Sequence, residues 1–340
     1  MSDASRTSPE PAPGLPPGDW LEECDGHRVW WAEGGDPQGL PVLVVHGGPG
    51  GASRIEPTRW FAGLAVRWIV LDQRGCGRST PPGETAHNEL PALLADMERL
   101  RERLGLARWA LAGGSWGARV ALAYASRWPQ RVDGLFLRSP FTGTEAETRR
   151  YIAPWRRWLG ADGRAWLGEA VADAAEALFH GATAARRVGS GLTPSGIDDE
   201  RVARAWSAYD DLQSQPGGLV ARAAARFEAA RLPAATPAMR AGWRVHAHYA
   251  LGGWGGDEEA LAWSPGDPPV SVVWGEADAT CDPAVAHALV ARLPGACALA
   301  VRGAGHRMSD PLLAPALAAA ARDWAAEVAA YSGARQRSLR

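Results

Sequence analysis

Gly113, Ser115 and Gly117, in "LAGGSWGARVAL", stand at the spacing Gly-x-Ser-x-Gly. A serine there is a candidate nucleophile for acyl transfer, because flanking glycines allow a sharp strand-to-helix turn that side chains would block. The turn presents the hydroxyl at a helix N-terminus, where backbone N–H groups can stabilise an oxyanion. The same pattern also arises in purely structural glycine-rich turns, so a base and an acid elsewhere must decide its meaning. Both should follow the serine, acid before histidine, each just past a late strand. After "VSVVW" comes "GEAD", which puts Asp278 beyond a strand end, and after "ALAVRG" comes "AGH", which does the same for His306. Glu276 and Asp282 compete for the acid position, and Asp278 has the better spacing. The implied chemistry is a proton passed from Ser115 to His306, an imidazolium held by Asp278, and later release of the acyl group by water.

The second oxyanion donor should lie on the loop after an early strand, and "PVLVVHGGPGG" supplies it. Gly48 N–H, paired with Trp116 N–H, is the expected donor pair, with His46 bracing the loop by hydrogen bonding. This glycine run has neither the GKS or GKT ending nor the G-x-G-x-x-G spacing of nucleotide-binding loops.

The elements that must position these residues are legible as punctuated apolar runs. "HRVWWAE", "PVLVVHGG", "RWIVLDQRG", "RWALAGG", "VDGLFLRS", "PPVSVVWGEAD" and "ACALAVRGAGH" read as strands. "ELPALLADMERLRERLGL" and "WGARVALAYASRWP" read as helices between them, the latter stopped by Pro129, and "PLLAPALAAAARDWAAEVAAY" as a closing helix. Alternating strands and helices imply an α/β fold with a mostly parallel sheet covered on both faces. Between Thr144 and Trp263 the chain turns alanine- and arginine-rich with many tryptophans, which reads as a helical insertion. The expected division is a disordered leader over 1–19, a core over 20–143 and 264–332, a helical cap over 144–263, and a flexible tail over 333–340. Core, insertion, core is the arrangement of an α/β hydrolase carrying a cap.

Composition narrows the partners. The net charge of −2 offers no attraction to nucleic acid or to an anionic membrane, although all 36 basic residues are arginine. Four cysteines, Cys24, Cys76, Cys281 and Cys297, are scattered without a CxxC pair, so neither a zinc site nor a disulfide framework is indicated. No apolar run approaches membrane-spanning length and the N-terminus lacks a signal-peptide pattern. A reduced, cytoplasmic protein is expected.

Taken together, "HGGPGG", "DQRGCGRS", "GGSWG", "GEADATCDP" and "GAGH" resemble the proline iminopeptidase family of α/β hydrolases, from about residue 25 onward. The Asp72-Gln73-Arg74-Gly75 run and the tryptophan after the serine separate this family from epoxide hydrolases and haloalkane dehalogenases, whose nucleophile is an aspartate. The resemblance implies a serine peptidase that removes an N-terminal residue, preferably proline, from a short-peptide or small-molecule substrate, without a metal or organic cofactor. Ser115, Asp278 and His306 are then the triad, and Asp72 and Arg74 fix loop geometry.

In the family, cap carboxylates hold the substrate ammonium, since a buried cation without a counter-charge is costly. "ARAWSAYDD" is similar to the family's Trp-Ser-x-Trp-Glu segment, which puts Tyr209 at the second tryptophan and Asp210 at the glutamate. "RVHAHY" is similar to Arg-Ile-Glu-Asn-His-Tyr and places His246 at the second glutamate; an alternative alignment through "ARFE" would use Glu228 instead. "LRSPF" is similar to Leu-Arg-Gly-x-Phe and sets Arg138 and Phe141 at the substrate pocket. The altered cap motivates a second expectation on the same scaffold: hydrolysis of an amide, ester, lactone or carrier-bound thioester that needs no free α-amine.

Overall fold

The computed structural model describes residues 14–177, 200–222, 224–255 and 267–338. Residues 1–13 of the expected leader, 178–199, 223 and 256–263 of the expected cap, 264–266 of the core and 339–340 of the tail lie outside the described residues.

The strands are β1 (Asp19–Trp20), β2 (Trp30–Gly35), β3 (Leu40–Val45), β4 (Val66–Leu71), β5 (Trp109–Ser115), β6 (Val132–Pro140), β7 (Val270–Gly275) and β8 (Cys297–Val301). They form one sheet in the order β1-β2-β4-β3-β5-β6-β7-β8. β1 and β2 enter antiparallel, and every pairing from β4 to β8 is parallel. Apolar alternation along the central strands feeds two cores. Leu43, Val45, Trp109, Leu111, Leu135 and Leu137 face one side, and Val42, Val44, Ala110, Ala112 and Phe136 the other, so both faces must be covered.

Helices α1 (Leu90–Arg103) and α2 (Trp116–Arg127) cover the first face; Leu90, Leu93, Leu94, Met97 and Leu100 make the apolar stripe of α1. Between β6 and β7 come α3 (Glu145–Ile152), α4 (Trp155–Leu167), α5 (Glu169–Ala177), α6 (Glu200–Gln213), the single turn α7 (Gly218–Ala221) and α8 (Pro237–Leu251). Their interior is aromatic: Trp155, Trp158, Trp206 and Tyr209 pack ring against ring at centroid separations of 5.1–5.8 Å. After β7 follow α9 (Pro283–Ala291) and, after β8, α10 (Leu313–Ser338). Leu313, Leu317, Ala321, Trp324 and Val328 recur at helical spacing along α10 and close the second face against Trp60, Phe61 and Phe136.

Two terminal boundaries differ from the sequence expectation. Leu15 is buried and Asp19–Trp20 pair with β2, so the chain joins the core before residue 20 because the leader ends in apolar side chains with somewhere to pack. At the other end the helix runs through to Ser338, since no proline follows Pro315 of its first turn and Arg335 Nη1 donates to the Tyr331 hydroxyl one turn back at 3.0 Å. Among the described residues no helix is long and apolar enough to cross a membrane.

What the fold does for the serine is bring three backbones into contact. A Cβ on Gly113 would lie 2.3 Å from the carbonyl oxygen of Gly117, and one on Gly117 would lie 2.2 Å from that of Val45 in β3. Gly117→Ala therefore forces β3 and α2 apart and is expected to cost about 2–3 kcal/mol, measurable as a lowered denaturation midpoint with an unchanged m-value.

Candidate active site

Ser115 ends β5 and precedes the first turn of α2 with φ 56° and ψ −125°, left-handed backbone that a non-glycine residue enters only when its surroundings force it. The loop after β3 is held against this turn by a relay. Trp116, fully buried, donates its indole N–H to Gln73 Oε1 at 2.9 Å. Gln73 Nε2 donates to the His46 carbonyl at 2.9 Å, and Gln73 N–H donates to His46 Nε2 at 3.0 Å. His46 Nδ1 is then left to donate to the Gly47 carbonyl at 2.8 Å, and burial, which depresses the imidazole pKa, keeps the ring neutral. Asp72 accepts from Ser53 N–H at 2.6 Å and from the Arg78 backbone and guanidinium at 2.8 and 2.7 Å, while Arg74 forms a buried pair with Asp96 at 2.6 Å. Both residues of the "DQRG" run thus hold loops.

Asp278 and His306 project from the loops after β7 and β8, and His306 Nδ1 lies 2.7 Å from Asp278 Oδ2. The other carboxylate oxygen accepts from Thr280 and Cys281 N–H at 2.9 and 2.8 Å. Burial pushes the Asp278 carboxyl up, but the His306 charge and hydrogen bond, the Cys281 N–H and the Ser139 hydroxyl outweigh it and hold the group below its ordinary range. The rival acids lie elsewhere: Glu276 is exposed, and Asp282 caps α9 by accepting from Ala284 N–H at 3.0 Å. Ser115 Oγ is 3.6 Å from the Cys281 thiol and, among the described residues, makes no hydrogen bond to His306, although the two line one cavity. Burial, then the Asp278 charge, pushes the Cys281 thiol well above its ordinary pKa, so it stays protonated and is no rival nucleophile.

That cavity, about 310 Å³, is also lined by Gly48, Arg138, Phe141, Tyr151, Asp210, His246 and Trp254. All four residues that the resemblance assigned to substrate therefore border it. Arg138, however, is buried and donates Nη1 to the His306 carbonyl at 2.5 Å, so its guanidinium is committed to the histidine loop. Asp210 accepts from the Tyr151 hydroxyl at 2.7 Å. Solvent reaches Asp210 from the cavity, yet enough protein surrounds it that burial raises its carboxyl above the ordinary range against the lowering effect of the Tyr151 hydroxyl. His246 sits among Trp206, Trp243 and Trp254, and burial pulls its imidazole down to about 4, so it is neutral near pH 7. Glu228 is exposed and pairs with Arg231 at 2.9 Å, away from the cavity lining.

Chemically, a serine on strained backbone that lines one cavity with an imidazole oriented by a buried carboxylate is equipped for general-base-assisted nucleophilic attack; apo hydrogen bonds to such a serine commonly close only with substrate bound. Among the described residues no three His, Cys, Asp or Glu side chains converge as a metal site requires. Tyr151 escaped the sequence reading, since "RRYIAPW" carries no motif and its partner is 59 residues away. Gln73 and Cys281 stood inside quoted motifs, where the position was visible but not the contact.

The sequence pattern of the α/β hydrolase fold family matches residues 41–309. The chain is 32% identical over 318 residues to a proline iminopeptidase of Neisseria meningitidis, covering 89% of this chain and 94% of that protein. It is 43% identical to a putative proline iminopeptidase of Mycoplasma pneumoniae over 128 residues, 38% of this chain and 41% of that one. Among solved structures it is similar in fold to a proline iminopeptidase-related protein of Thermus thermophilus, with a TM-score of 0.58 at 23% identity over 93% of this chain and 99% of that one. A thermophilic esterase of Thermogutta terrifontis shares the fold with a TM-score of 0.53 at 21% identity, over 92% and 99% of the two chains.

Because the Tyr151 hydroxyl is a donor that favours ionised Asp210, Tyr151→Phe is expected to move the Asp210 carboxyl further above its ordinary range. Carbon-13 NMR titration of the aspartate carboxyls, with Asp210→Asn to assign the resonance, reads the shift; an unmoved or lowered midpoint contradicts it.

Proposed function

This chain belongs to the proline iminopeptidase family of α/β hydrolases, and from that premise we propose that it is a serine aminopeptidase releasing an N-terminal residue, proline first, from small peptides or aminoacyl amides. The observation that carries the reading is a carboxylate, Asp210, bordering the same cavity as Ser115 and the Asp278–His306 pair. A substrate ammonium needs such a counter-charge once it leaves water.

His306 removes the Ser115 proton as Oγ attacks the acyl carbon, and Asp278 holds Nδ1 and stabilises the imidazolium. The tetrahedral oxyanion is taken by Gly48 N–H, which donates to no backbone acceptor among the described residues, and by Trp116 N–H at the start of α2. The imidazolium then protonates the leaving amine, the Ser115 ester forms, and water activated by the same histidine releases the N-terminal amino acid. Arg138 is a positioning residue that fixes the His306 backbone. Phe141, Trp254 and the protonated Cys281 thiol give the acyl residue an apolar wall, which suits a pyrrolidine ring. The described residues hold all of these groups, and the reading calls on no cofactor. Its four cysteines are all unpaired, which suits a reducing compartment, and the cytoplasm is the proposed location.

A specific observation favours a second reading. Neutral His246 stands where the family places a second glutamate, so one carboxylate faces the ammonium rather than two. A hydrolase of amides, esters, lactones or carrier thioesters without a free amine would need neither.

Ser115→Ala is expected to lose labelling by a fluorophosphonate and to lower turnover by about 10⁴-fold or more. Prolyl arylamide should be turned over and N-acetyl-prolyl arylamide should not; equal turnover of the two would remove the aminopeptidase assignment. Asp210→Asn should raise KM for the prolyl substrate about tenfold. Since the Asp210 carboxyl is raised, its charge is present at high pH and is lost as pH falls, at a higher pH than for an ordinary aspartate. KM for the prolyl substrate should therefore climb on acidification through that range in the native enzyme, and Asp210→Asn should abolish the dependence.

A further inference from the structure

The charged groups bordering the cavity can be accounted for one by one. Arg138 is committed to the His306 carbonyl, His306 is paired with Asp278, His46 and His246 are held neutral by burial, and Asp210 is the acceptor proposed for the ammonium. One formal charge is left over. Arg54 borders the cavity, is exposed, and has no hydrogen bond or ion pair to its side chain among the described residues.

Its base is fixed even though its guanidinium is solvated. The preceding residue, Ser53, is held at both ends, with its N–H donating to Asp72 Oδ1 at 2.6 Å and its hydroxyl to the Leu71 carbonyl at 2.7 Å. Two residues on, a short 3₁₀ turn begins at Glu56. The side chain therefore leaves a rigid loop.

The two charges reach the cavity on different connections of the sheet. Arg54 belongs to the connection leaving β3, on one flank of β5, whereas Tyr151 and Asp210 belong to the insertion leaving β6, on the other flank. Ser115 ends β5 between them. Arg54 from the β3 connection and Asp210 from the β6 insertion thus border one cavity with the nucleophile.

We infer that Arg54 is a carboxylate anchor for the leaving part of the substrate, making short unblocked peptides, zwitterions with the scissile bond between their two charges, the substrate class of this site. The inference rests on the aminopeptidase reading above and adds the other end of the substrate. The guanidinium fork matches a carboxylate, and among the described residues Arg54 forms no ion pair that would occupy it. One residue of extended chain advances at most about 3.6 Å, so a short leaving group keeps its carboxylate by the cavity that Arg54 borders and a long one carries it away. An arylamide has no carboxylate there at all.

The test compares prolyl-alanine with prolyl-alanine amide in the full-length native protein, Arg54→Gln and Arg54→Lys, each normalised to active sites counted by fluorophosphonate titration. The native protein should prefer the free acid in kcat/KM by about fivefold, the gain an ion pair in a solvent-open site supports. Arg54→Gln should bring the ratio close to one, Arg54→Lys should retain part of it, and raised salt should shrink it. If the native protein shows no preference, or Arg54→Gln keeps the native ratio while both dipeptides are cleaved, the anchor is overturned and the aminopeptidase reading stands. If neither dipeptide is cleaved while N-acetylated substrates are, the aminopeptidase reading itself fails and the anchor with it.

Discussion

The contact of three backbones at the end of β5 is the constraint on which the rest of this site depends. Ser115 can hold a left-handed conformation only because β3 and α2 close on it from both sides, and they can close only because residues 113 and 117 have no side chain. The energy of the strain, on the order of 1–3 kcal/mol, is supplied by the surrounding core rather than by the turn. That core is extensive, with the strands on either side of β5 buried on both faces. The serine is therefore oriented by the whole sheet.

The tryptophan beside the serine extends the same constraint. Its backbone begins the helix, whereas its indole N–H runs inward to Gln73, which in turn holds both ends of the His46 peptide and ring. A single buried polar chain thus couples the elbow to the glycine loop facing it. Each donor and acceptor in that chain is satisfied, which is the condition under which buried polar groups add order instead of costing stability.

The insertion does more than roof the cavity. His306 N–H donates to the Ser214 carbonyl at 3.1 Å, and Gly217 N–H donates to the Ala277 carbonyl at 2.7 Å, just past the end of α6. A Cβ on Gly305 would lie 2.6 Å from the Pro216 nitrogen. The segment that carries Asp210 is therefore joined by backbone contacts to the two loops that carry Asp278 and His306. Movement of one would be felt by the other, so the proposed ammonium acceptor and the proposed base share a mechanical connection.

Much of this was written locally in the chain. The fold follows from apolar runs at strand and helix spacing, and Ser115, Asp278 and His306 are marked because each sits at or a few residues past a strand end, which linear sequence records directly. The "DQRG" aspartate and arginine, buried in ion pairs, also matched their expected bracing role. The character of the cavity was settled only by tertiary contact. Tyr151 meets Asp210 across 59 residues, Arg138 reaches the His306 carbonyl across 168, and the Arg54 side chain has no hydrogen bond or ion pair among the described residues. Whether a charge is committed, neutralised or available depends on which distant side chains arrive beside it and how much water they exclude, and no local spacing encodes that.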